Sequence, residues 1–215
     1  MDDILERNHK KMKRIIFATG NENKMKEIRM ILQDLPCEIL SMKEAGILAD
    51  IVEDGNTFEE NAIIKAKTIM ALTGDIVMAD DSGLEVDYLN KAPGVYSARF
   101  LGEDTSYHRK NQYIIEQLKQ AKGQERSARF VCAIACAFPD HHIETAIATI
   151  EGQIGYEEKG ENGFGYDPIF YVPEYGKTTA ELSEEEKNRV SHRARALCKI
   201  RERLEKLAEA GGIAE

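Results

Sequence analysis

Two adjacent carboxylates, Asp80 and Asp81, are the first residues of this sequence whose types and spacing could carry chemistry. They open the run Asp80-Asp81-Ser82-Gly83 directly after an apolar strand predicted over 75–79, and ligands of open α/β sheets usually bind beyond such strand ends. Two ionised carboxylates ~4 Å apart repel by roughly 4 kcal/mol at an effective dielectric of about 20, so the pair must turn into water or be neutralised by a cation. Because neighbouring strand residues point to opposite faces, we expect only one of the two to face a site. The alternative is an acidic surface turn.

A possible anion-binding turn lies between a strand predicted over 14–18 and a helix predicted over 23–34. The run Thr19-Gly20-Asn21-Glu22-Asn23-Lys24 would place the free N–H groups of a helix start around a phosphate, and Gly20 would let the chain turn closely. Lys24 and Lys26 fall in the first helical turn, where the helix dipole disfavours cations by ~0.3–1 kcal/mol each unless a bound anion reverses the sign. The alternative is a turn capped by Asn21 with two solvated lysines, because the run lacks the glycine spacing of a Walker or Rossmann loop.

A third acidic position, Glu53, precedes a helix that begins with the capping-box pattern Thr57-Phe58-Glu59-Glu60 and carries Lys65. A carboxylate at Glu53 could join Asp81 on one hard cation, since Mg²⁺ binds oxygen ligands and usually keeps several waters. A solvated acidic loop is the alternative. Arg99 is either a phosphate contact or a surface arginine.

The C-terminal part of the sequence offers an aromatic loop and a basic helix. The glycines of Gly163-Phe164-Gly165-Tyr166-Asp167-Pro168 would expose an aromatic ring on which a planar base could stack, with Asp167 as a hydrogen-bond acceptor; a bulged hairpin is the alternative. A helix predicted from Ser183 to about 210 carries His192 and a basic face, some of whose residues should face an anion; the alternative is an amphipathic helix with a solvated basic face. Between 187 and 206 its acidic residues are Glu202 and Glu205, and its basic ones are Lys187, Arg189, Arg193, Arg195, Lys199, Arg201, Arg203 and Lys206.

The remaining residue types narrow the chemistry. No Cys–His or Ser–His pair has a nucleophile setting, so carboxylates, lysines and the aromatic loop remain, a set that suits metal-assisted phosphoryl transfer to water. The four cysteines form no CxxC pair, and Cys132 and Cys136 are expected to be buried small hydrophobes. With neither a membrane-length apolar run nor a signal-peptide core, the sequence predicts a cytoplasmic protein.

The elements that must position these residues predict an α/β fold. Strands alternate with helices in the first half, whereas 127–138 and 143–152 read as a hairpin, so the sheet should be mixed. We expect one domain over 14–210, preceded by an extension over 1–13. The net charge of −9, from 29 basic and 38 acidic side chains, disfavours nucleic-acid and membrane partners, because both need a positive field.

Seven stretches of the sequence, in order, closely resemble those of the inosine/xanthosine triphosphate pyrophosphatases, which clear non-standard purine nucleotides from the cell pool. They are FATGNENKMKEI, EDGNTFEENAIIKAK, ADDSGLEVD, APGVYSARF, ARFVCAIA, GENGFGYDPIF and AELSEEEKNRVSHRARAL, and they run from about 14 to 203. Residues 1–11 have no counterpart in a typical member, and Asn90-Lys91 stands where a pair of glycines is common.

This resemblance implies an elongated, two-lobed α/β fold with a long central mixed β-sheet flanked by helices and a cleft between the lobes. It also implies a homodimer that uses Mg²⁺ and converts a purine nucleoside triphosphate to the monophosphate and pyrophosphate. The turn over 19–24 would bind phosphates. Glu53 and Asp81 would hold Mg²⁺, with Asp80 as a further candidate, and Asp81 would also accept a proton. Residues expected to contact the nucleotide are Ser82, Phe164, Gly165, Tyr166, Asp167, Lys187, His192 and Arg193.

Other functions fit parts of the same pattern. A pyrophosphatase of related fold could act on modified pyrimidine or ordinary nucleotides. A nucleotide sensor would bind without hydrolysis, although the Glu53 and Asp81 pair argues against it. An RNA-binding protein could use the basic last helix, although the net charge of −9 argues against that.

Overall fold

A computed structural model describes residues 13–35 and 37–209 of the chain. This part contains one seven-stranded sheet and five α-helices, together with short 3-10 helices and loops. The strands are β1 (Lys13–Phe17), β2 (Cys37–Ser41), β3 (Ile76–Val86), β4 (Ser127–Ala137), β5 (Ile143–Ile154), β6 (Phe170–Val172) and β7 (Lys177–Thr178). The helices are α1 (Glu22–Ile31), α2 (Phe58–Thr73), α3 (Tyr107–Gln117), α4 (Glu184–Val190) and α5 (His192–Glu209). The predicted extension over 1–13 lies outside the described residues except for Lys13, which already belongs to β1.

The sheet is mixed, as the sequence predicts. Its strand order is β2-β1-β3-β4-β5-β6-β7. The first strand, β1, runs parallel to β2 and β3, because α1 and α2 supply the crossovers that parallel strands need. From β3 onward every pair is antiparallel, and a short turn through Pro139 and Asp140 joins β4 to β5.

The long strand β3 corrects the prediction of a strand that ends at residue 79. It continues through Asp80 and Asp81 to Val86, because β4 pairs with it along that whole length. Its other neighbour, β1, stops at Phe17 and pairs only as far as Met78. One edge of β3 is therefore free of a neighbouring strand from Asp80 to Gly83, where the parallel part of the sheet ends; beyond that, Leu84 bonds to Ser97 and Glu85 bridges Pro93.

The predicted helix starts are confirmed. Asn21 caps α1, and Thr57 caps α2 by accepting a hydrogen bond from the Glu60 N–H. Ser183 caps α4 in a full capping box with Glu186. Side chains of this kind satisfy N–H groups that have no partner inside the helix.

The final helix is not continuous, which corrects the prediction of one helix from Ser183 to about 210. Helix α4 ends at Val190, Ser191 is extended with ψ 151°, and α5 begins at His192. The Ser191 hydroxyl accepts a hydrogen bond from the Ala194 N–H at 3.1 Å, so this residue ends one helix and caps the next. His192 and Arg193 consequently lie in the first turn of a helix rather than in its middle.

Three buried clusters divide the molecule into two lobes. In the first lobe, α1 and α5 pack on one face of the sheet and α2 packs on the other. In the second lobe, α3, β6 and the far ends of β3, β4 and β5 surround another core.

The expected burial of Cys132 and Cys136 is confirmed. Burial raises the pKa of the Cys132 thiol to about 12, and all four cysteines are free.

Two local features complete the fold. Asn90 and Lys91 both adopt left-handed backbone conformations, with φ of 50° and 69°, which is the region that glycine enters most readily. None of the helices in the described residues is both long and apolar enough to cross a membrane.

Candidate active site

A cleft of about 1060 Å³ opens between the two lobes. Of the described residues that the sequence assigns to catalysis, metal binding or substrate binding, Asp80 alone does not line it. Those that do are Thr19, Gly20, Asn21, Lys24, Glu53, Lys65, Asp81, Ser82, Arg99, Phe164, Gly165, Tyr166, Asp167, Lys187, His192 and Arg193. The open edge of β3 forms the floor, so strand pairing explains why the cleft lies there.

Asp81 faces the cleft within a group of polar side chains from α2 and the preceding loop. The Lys65 ammonium lies 2.9 Å from a Glu53 carboxylate oxygen and 3.5 Å from an Asp81 oxygen. The buried Asn61 amide donates to the other Asp81 oxygen at 3.0 Å and accepts from the Gly55 N–H. Asn61 is thus an orienting residue to which the sequence assigns no role, although it lies one helical turn before Lys65.

The pKa values in this group reflect burial and charge. Burial raises the pKa of the Asp81 carboxyl above its usual value, and the attraction of Lys65 and the Asn61 hydrogen bond offset only part of that effect. The pKa of Lys65 is raised, because the charges of Asp81, Asp80 and Glu53 outweigh its burial. Lys65 therefore stays protonated, and Asp81 is a better proton acceptor than an ordinary aspartate.

Asp80 points to the opposite face of β3 and is neutralised there. Lys24 lies 3.0 Å from one carboxylate oxygen, and Arg193 lies 3.1 Å from the other. Burial alone would raise the pKa of Asp80, but these two cations hold it well below its usual value. The structure thus separates the two carboxylates, and the cleft receives only Asp81.

A chain of ion pairs continues from Asp80 to the aromatic loop. Arg193 also pairs with Glu27 on α1, which lies 2.8 Å from Lys187; Lys187 in turn lies 2.7 Å from Asp167. The sequence predicts no role for Glu27. The available signal is its position three residues after Lys24, which puts both on one face of α1.

The turn at the start of α1 differs from the expected phosphate cradle. The Asn21 side chain accepts from the N–H groups of Asn23 and Lys24, at 3.0 and 3.1 Å, so these two donors are already used. The backbone conformation at Gly20 does not require glycine. No atom lies within 4 Å of the place that a Cβ atom would take there, so this side of the turn is open. Lys24 is mostly buried on Asp80, whereas Lys26 is exposed and pairs with Glu184.

The aromatic loop is held by Asp167. One carboxylate oxygen accepts from the Thr179 hydroxyl at 2.8 Å, and the other accepts from the Phe164 N–H and from Lys187. A side chain at Gly163 would lie 2.2 Å from that second oxygen, and φ there is +75°, so glycine is required. The Lys187 ammonium stands 5.0 Å from the centre of the Phe164 ring.

His192 supplies an unused polar atom at the same end of the cleft. Burial, together with the charges of Arg193 and Lys187, lowers its pKa well below the usual value, so the ring is neutral. It stacks on Phe130 at 4.9 Å, and its Nδ1 atom is buried without a hydrogen-bond partner in the described residues. A buried polar atom without a partner costs free energy that a ligand can recover.

The cleft is more positive than the protein as a whole, which carries a net charge of −9. Its acidic lining residues are Asp50, Glu53, Asp81 and Asp167, and its basic ones are Lys24, Lys43, Lys65, Arg99, Lys187 and Arg193. An anion is therefore attracted locally even though the whole chain is acidic.

The donor set fits a metal that a ligand helps to hold. Among the described residues, no three His, Cys, Asp or Glu side chains come close enough to form a metal cluster. Glu53 and Asp81 nevertheless meet at the cleft wall around Lys65. Mg²⁺ is commonly bound by one or two carboxylates together with substrate phosphates and waters, so this pair suits Mg²⁺ with a nucleotide and does not suit an all-protein cage.

The chain is similar to curated relatives over almost its whole length. It is 49% identical over 199 residues to a dITP/XTP pyrophosphatase of Clostridium perfringens, a match that covers 90% of this chain and 98% of the relative. It is 47% identical over 189 residues to a dITP/XTP pyrophosphatase of Bacillus licheniformis, with 88% and 96% of the two chains covered.

Solved structures show the same likeness in three dimensions. The Ham1 protein of Staphylococcus aureus matches with a TM-score of 0.81 at 40% identity, covering 90% of this chain and 99% of that one. A HAM1 protein from Coxiella burnetii matches with a TM-score of 0.83 at 41% identity, covering 91% and 100%. The model of the Ham1 family matches residues 15–203. The chain therefore belongs to the Ham1 family.

Proposed function

We propose that this protein hydrolyses non-standard purine nucleoside triphosphates, namely ITP, dITP and XTP, to the monophosphate and pyrophosphate, and so removes them from the nucleotide pool. The observation that carries the proposal is the meeting of Glu53 and Asp81 around Lys65 in a positive cleft. An aromatic loop that can hold a base lines the same cleft. The curated relatives named dITP/XTP pyrophosphatase support the choice of substrate.

The triphosphate would lie between the start of α1, the Glu53 loop and Arg99. Lys65 lies on α2 of the first lobe, whereas Arg99 precedes Phe100, which packs on the core of the second lobe, so a phosphate chain between them would be neutralised from both sides. The open space beside Gly20 would let phosphate oxygens approach the backbone. Mg²⁺, when bound to Glu53 and Asp81, would supply the further positive charge that a triphosphate needs.

Asp81 is the residue that we assign to the attacking water. Its carboxylate would orient the water and accept its proton as the water oxygen bonds to the α-phosphorus and the bond to pyrophosphate breaks. Asn61 fixes the carboxylate through a 3.0 Å hydrogen bond. The rate would come chiefly from positioning and from neutralising charge.

The base would be recognised by hydrogen bonds near Phe164. Hypoxanthine and xanthine present an acceptor at O6 and a donor at N1, whereas adenine reverses both. His192 and Arg193 offer donors that would bind O6 and would meet another donor in adenine. A site built in this way can reject the wrong base by ~10⁴-fold or more. Guanine shares O6, so its 2-amino group must be excluded by fit or left unpaired.

The assembly and compartment belong to the same proposal. The homodimer rests on the family resemblance, and the four free cysteines agree with a reducing compartment such as the cytoplasm. Sedimentation analysis of the purified protein tests the homodimer, and a monomer at micromolar concentration would contradict it.

The decisive test is pyrophosphate release from ITP, dITP, XTP, GTP and ATP, with Mg²⁺ and with excess EDTA. We expect the first three to be hydrolysed, with ATP slower by orders of magnitude and no activity in EDTA. A preference for modified pyrimidine or ordinary nucleotides would instead support the rival pyrophosphatase. Binding of ITP without hydrolysis would support a sensor.

Asp81→Asn should lower kcat for ITP by about 10³-fold, because the variant keeps the shape of the side chain but loses the proton acceptor. Nucleotide affinity should change little. The exposed Asp104 offers a matched control, since Asp104→Asn removes the same charge outside the cleft lining. Near-normal turnover by Asp81→Asn would contradict the assigned role.

A further inference from the structure

A lysine outside the predicted site, Lys110 on α3, is buried with only 1% of its surface exposed. In the described residues, no carboxylate oxygen lies within ion-pair distance of its ammonium. Its partners are neutral: the Ala98 carbonyl oxygen at 2.5 Å and the ring of Tyr107, whose centre lies 4.8 Å away. A buried charge without a counter-ion costs free energy that an apolar side chain of similar volume would avoid. Packing alone therefore does not explain a lysine here.

The contact with Ala98 belongs to a set that fixes one short segment. The buried Tyr166 hydroxyl donates to the preceding carbonyl, that of Ser97, at 2.8 Å. The Ser97 hydroxyl accepts from the Leu84 N–H at 2.9 Å and donates to the Gly94 carbonyl at 2.6 Å. The Ser97 carbonyl is thus held by Tyr166 of the aromatic loop, and the Ala98 carbonyl by Lys110 of α3. The backbone of β3 holds the Ser97 side chain as well.

The residue that follows this segment is Arg99. Its guanidinium lies over the Tyr96 ring, 4.9 Å from the centre, and donates to the Glu53 carbonyl at 3.4 Å. It therefore extends from the second lobe to the loop of the first lobe that carries a proposed Mg²⁺ ligand. Its backbone has no regular secondary structure, so the direction of Arg99 depends on how Ser97 and Ala98 are held.

We propose that Lys110 is a positioning residue that acts through Arg99: by holding the Ala98 carbonyl it directs the Arg99 guanidinium across the cleft towards the triphosphate. This inference rests on the proposed function. Lys110 does not touch the substrate. Its ammonium lies behind Tyr107, which lines the cleft, so its charge also adds to the positive potential that the phosphates meet.

A double-mutant cycle on kcat/KM for ITP tests this. Lys110→Met keeps most of the apolar stem and removes the donor and the charge. A lost hydrogen bond from a charged group is worth about tenfold or more in kcat/KM, so we expect a tenfold loss for Lys110→Met and a larger loss for Arg99→Ala. If Lys110 acts through Arg99, the double variant should match Arg99→Ala within about twofold.

Losses that multiply in the double variant would overturn the proposal, and so would wild-type kcat/KM in Lys110→Met. A merely structural lysine would lower the melting temperature and reduce activity equally with or without Arg99. Lys119→Met is the matched control, because Lys119 is exposed and, among the described residues, forms an ion pair with Glu116 alone. If Lys110→Met does not fold, Lys110→Gln, which keeps an N–H donor without the charge, enters the same cycle.

The failure of this inference is distinct from the failure of the proposed function. An unmodified protein that releases no pyrophosphate from ITP contradicts the function. In that case the double-mutant cycle compares dissociation constants for ITP measured by calorimetry. Additive losses of affinity would still contradict the role of Lys110. In an active protein, additive losses contradict Lys110 alone.

Discussion

At the scale of single residues, neighbouring aspartates in one strand acquire opposite properties. Asp80 is enclosed by Lys24 and Arg193, which hold its pKa low, and it remains an ionised link inside the protein. Asp81 faces the cleft with a raised pKa, because its burial outweighs the attraction of Lys65. The alternation of a strand predicts that only one faces the site. Which one does so depends on α1, α2 and α5, which no local pattern reveals.

Arg193 illustrates how a residue can serve structure and recognition together. Its donors already contact Asp80, Ser82 and Glu27, through four hydrogen bonds. A guanidinium has five N–H groups, which leaves one for a base. Substitution by alanine would also take one of the two cations away from each of Asp80 and Glu27 and would destabilise the fold by about 3 kcal/mol.

Arg193→Lys is the sharper test of base selectivity, since it keeps the charge beside Asp80 but loses the planar fork. The preference for ITP over ATP should fall about tenfold, as expected for one lost discriminating hydrogen bond of ~1.4 kcal/mol. The exposed Arg189 allows the same exchange outside the cleft lining as a control. Unchanged selectivity in a folded Arg193→Lys protein would remove Arg193 from base recognition.

At the scale of elements, the sequence predicts where helices begin better than it predicts where strands and helices end. The capped starts at Asn21, Thr57 and Ser183 are readable because a capping side chain lies next to the helix it serves. The length of β3 is not readable in this way, because its second half pairs along its whole length with β4, which is distant in the sequence. The break at Ser191 is also hidden, since basic and apolar residues continue at helical spacing across it.

That break has a consequence that can be measured. Ser191→Ala removes the hydroxyl that accepts from the Ala194 N–H and should lower the free energy of unfolding by about 1 kcal/mol. The first turn of α5 carries His192 and Arg193, so a shift of this turn should also lower kcat/KM for ITP by about tenfold.

Ser183→Ala is the matched control, because it removes an equivalent cap at the start of α4, outside the cleft lining. Urea unfolding and ITP turnover are measured for both variants. We expect similar losses of stability, with kcat/KM of Ser183→Ala within about twofold of the unmodified protein. Equal losses of activity in the two variants would show that the break has no particular role at the site.

At the scale of the whole molecule, the site depends on ion pairs that join parts distant in sequence. Glu27 on α1 connects Lys187 on α4 with Arg193 on α5, at separations of 160 and 166 residues. The spacing from Lys24 places Glu27 on the same face of α1, but nothing nearby in the sequence indicates its distant partners, which is why the sequence predicts no role for it. Surface ion pairs add little to stability, but a mostly buried carboxylate between two cations, such as Glu27, is costly to disrupt.

This network should make stability depend on pH in a defined direction. Burial alone would raise the pKa of Glu27, but Arg193 and Lys187 outweigh it and lower the pKa below the usual value. The ionised side chain therefore contributes stability above the unfolded-state pKa of about 4.3. That contribution is lost as the pH falls below this value and through the lower folded-state pKa.

Glu27→Gln should accordingly lower the free energy of unfolding by about 3 kcal/mol at pH 7. The difference from the unmodified protein should stay constant down to about pH 5 and shrink below about pH 4.3, because the native carboxylate loses its advantage there. Urea unfolding at pH 7, 5 and 3.5 measures it. Glu184→Gln, which breaks an exposed pair with Lys26, should cost under about 1 kcal/mol at pH 7. A Glu27→Gln loss as small as this control, or one that persists undiminished at pH 3.5, would show that the buried network does not hold the two lobes' shared site together.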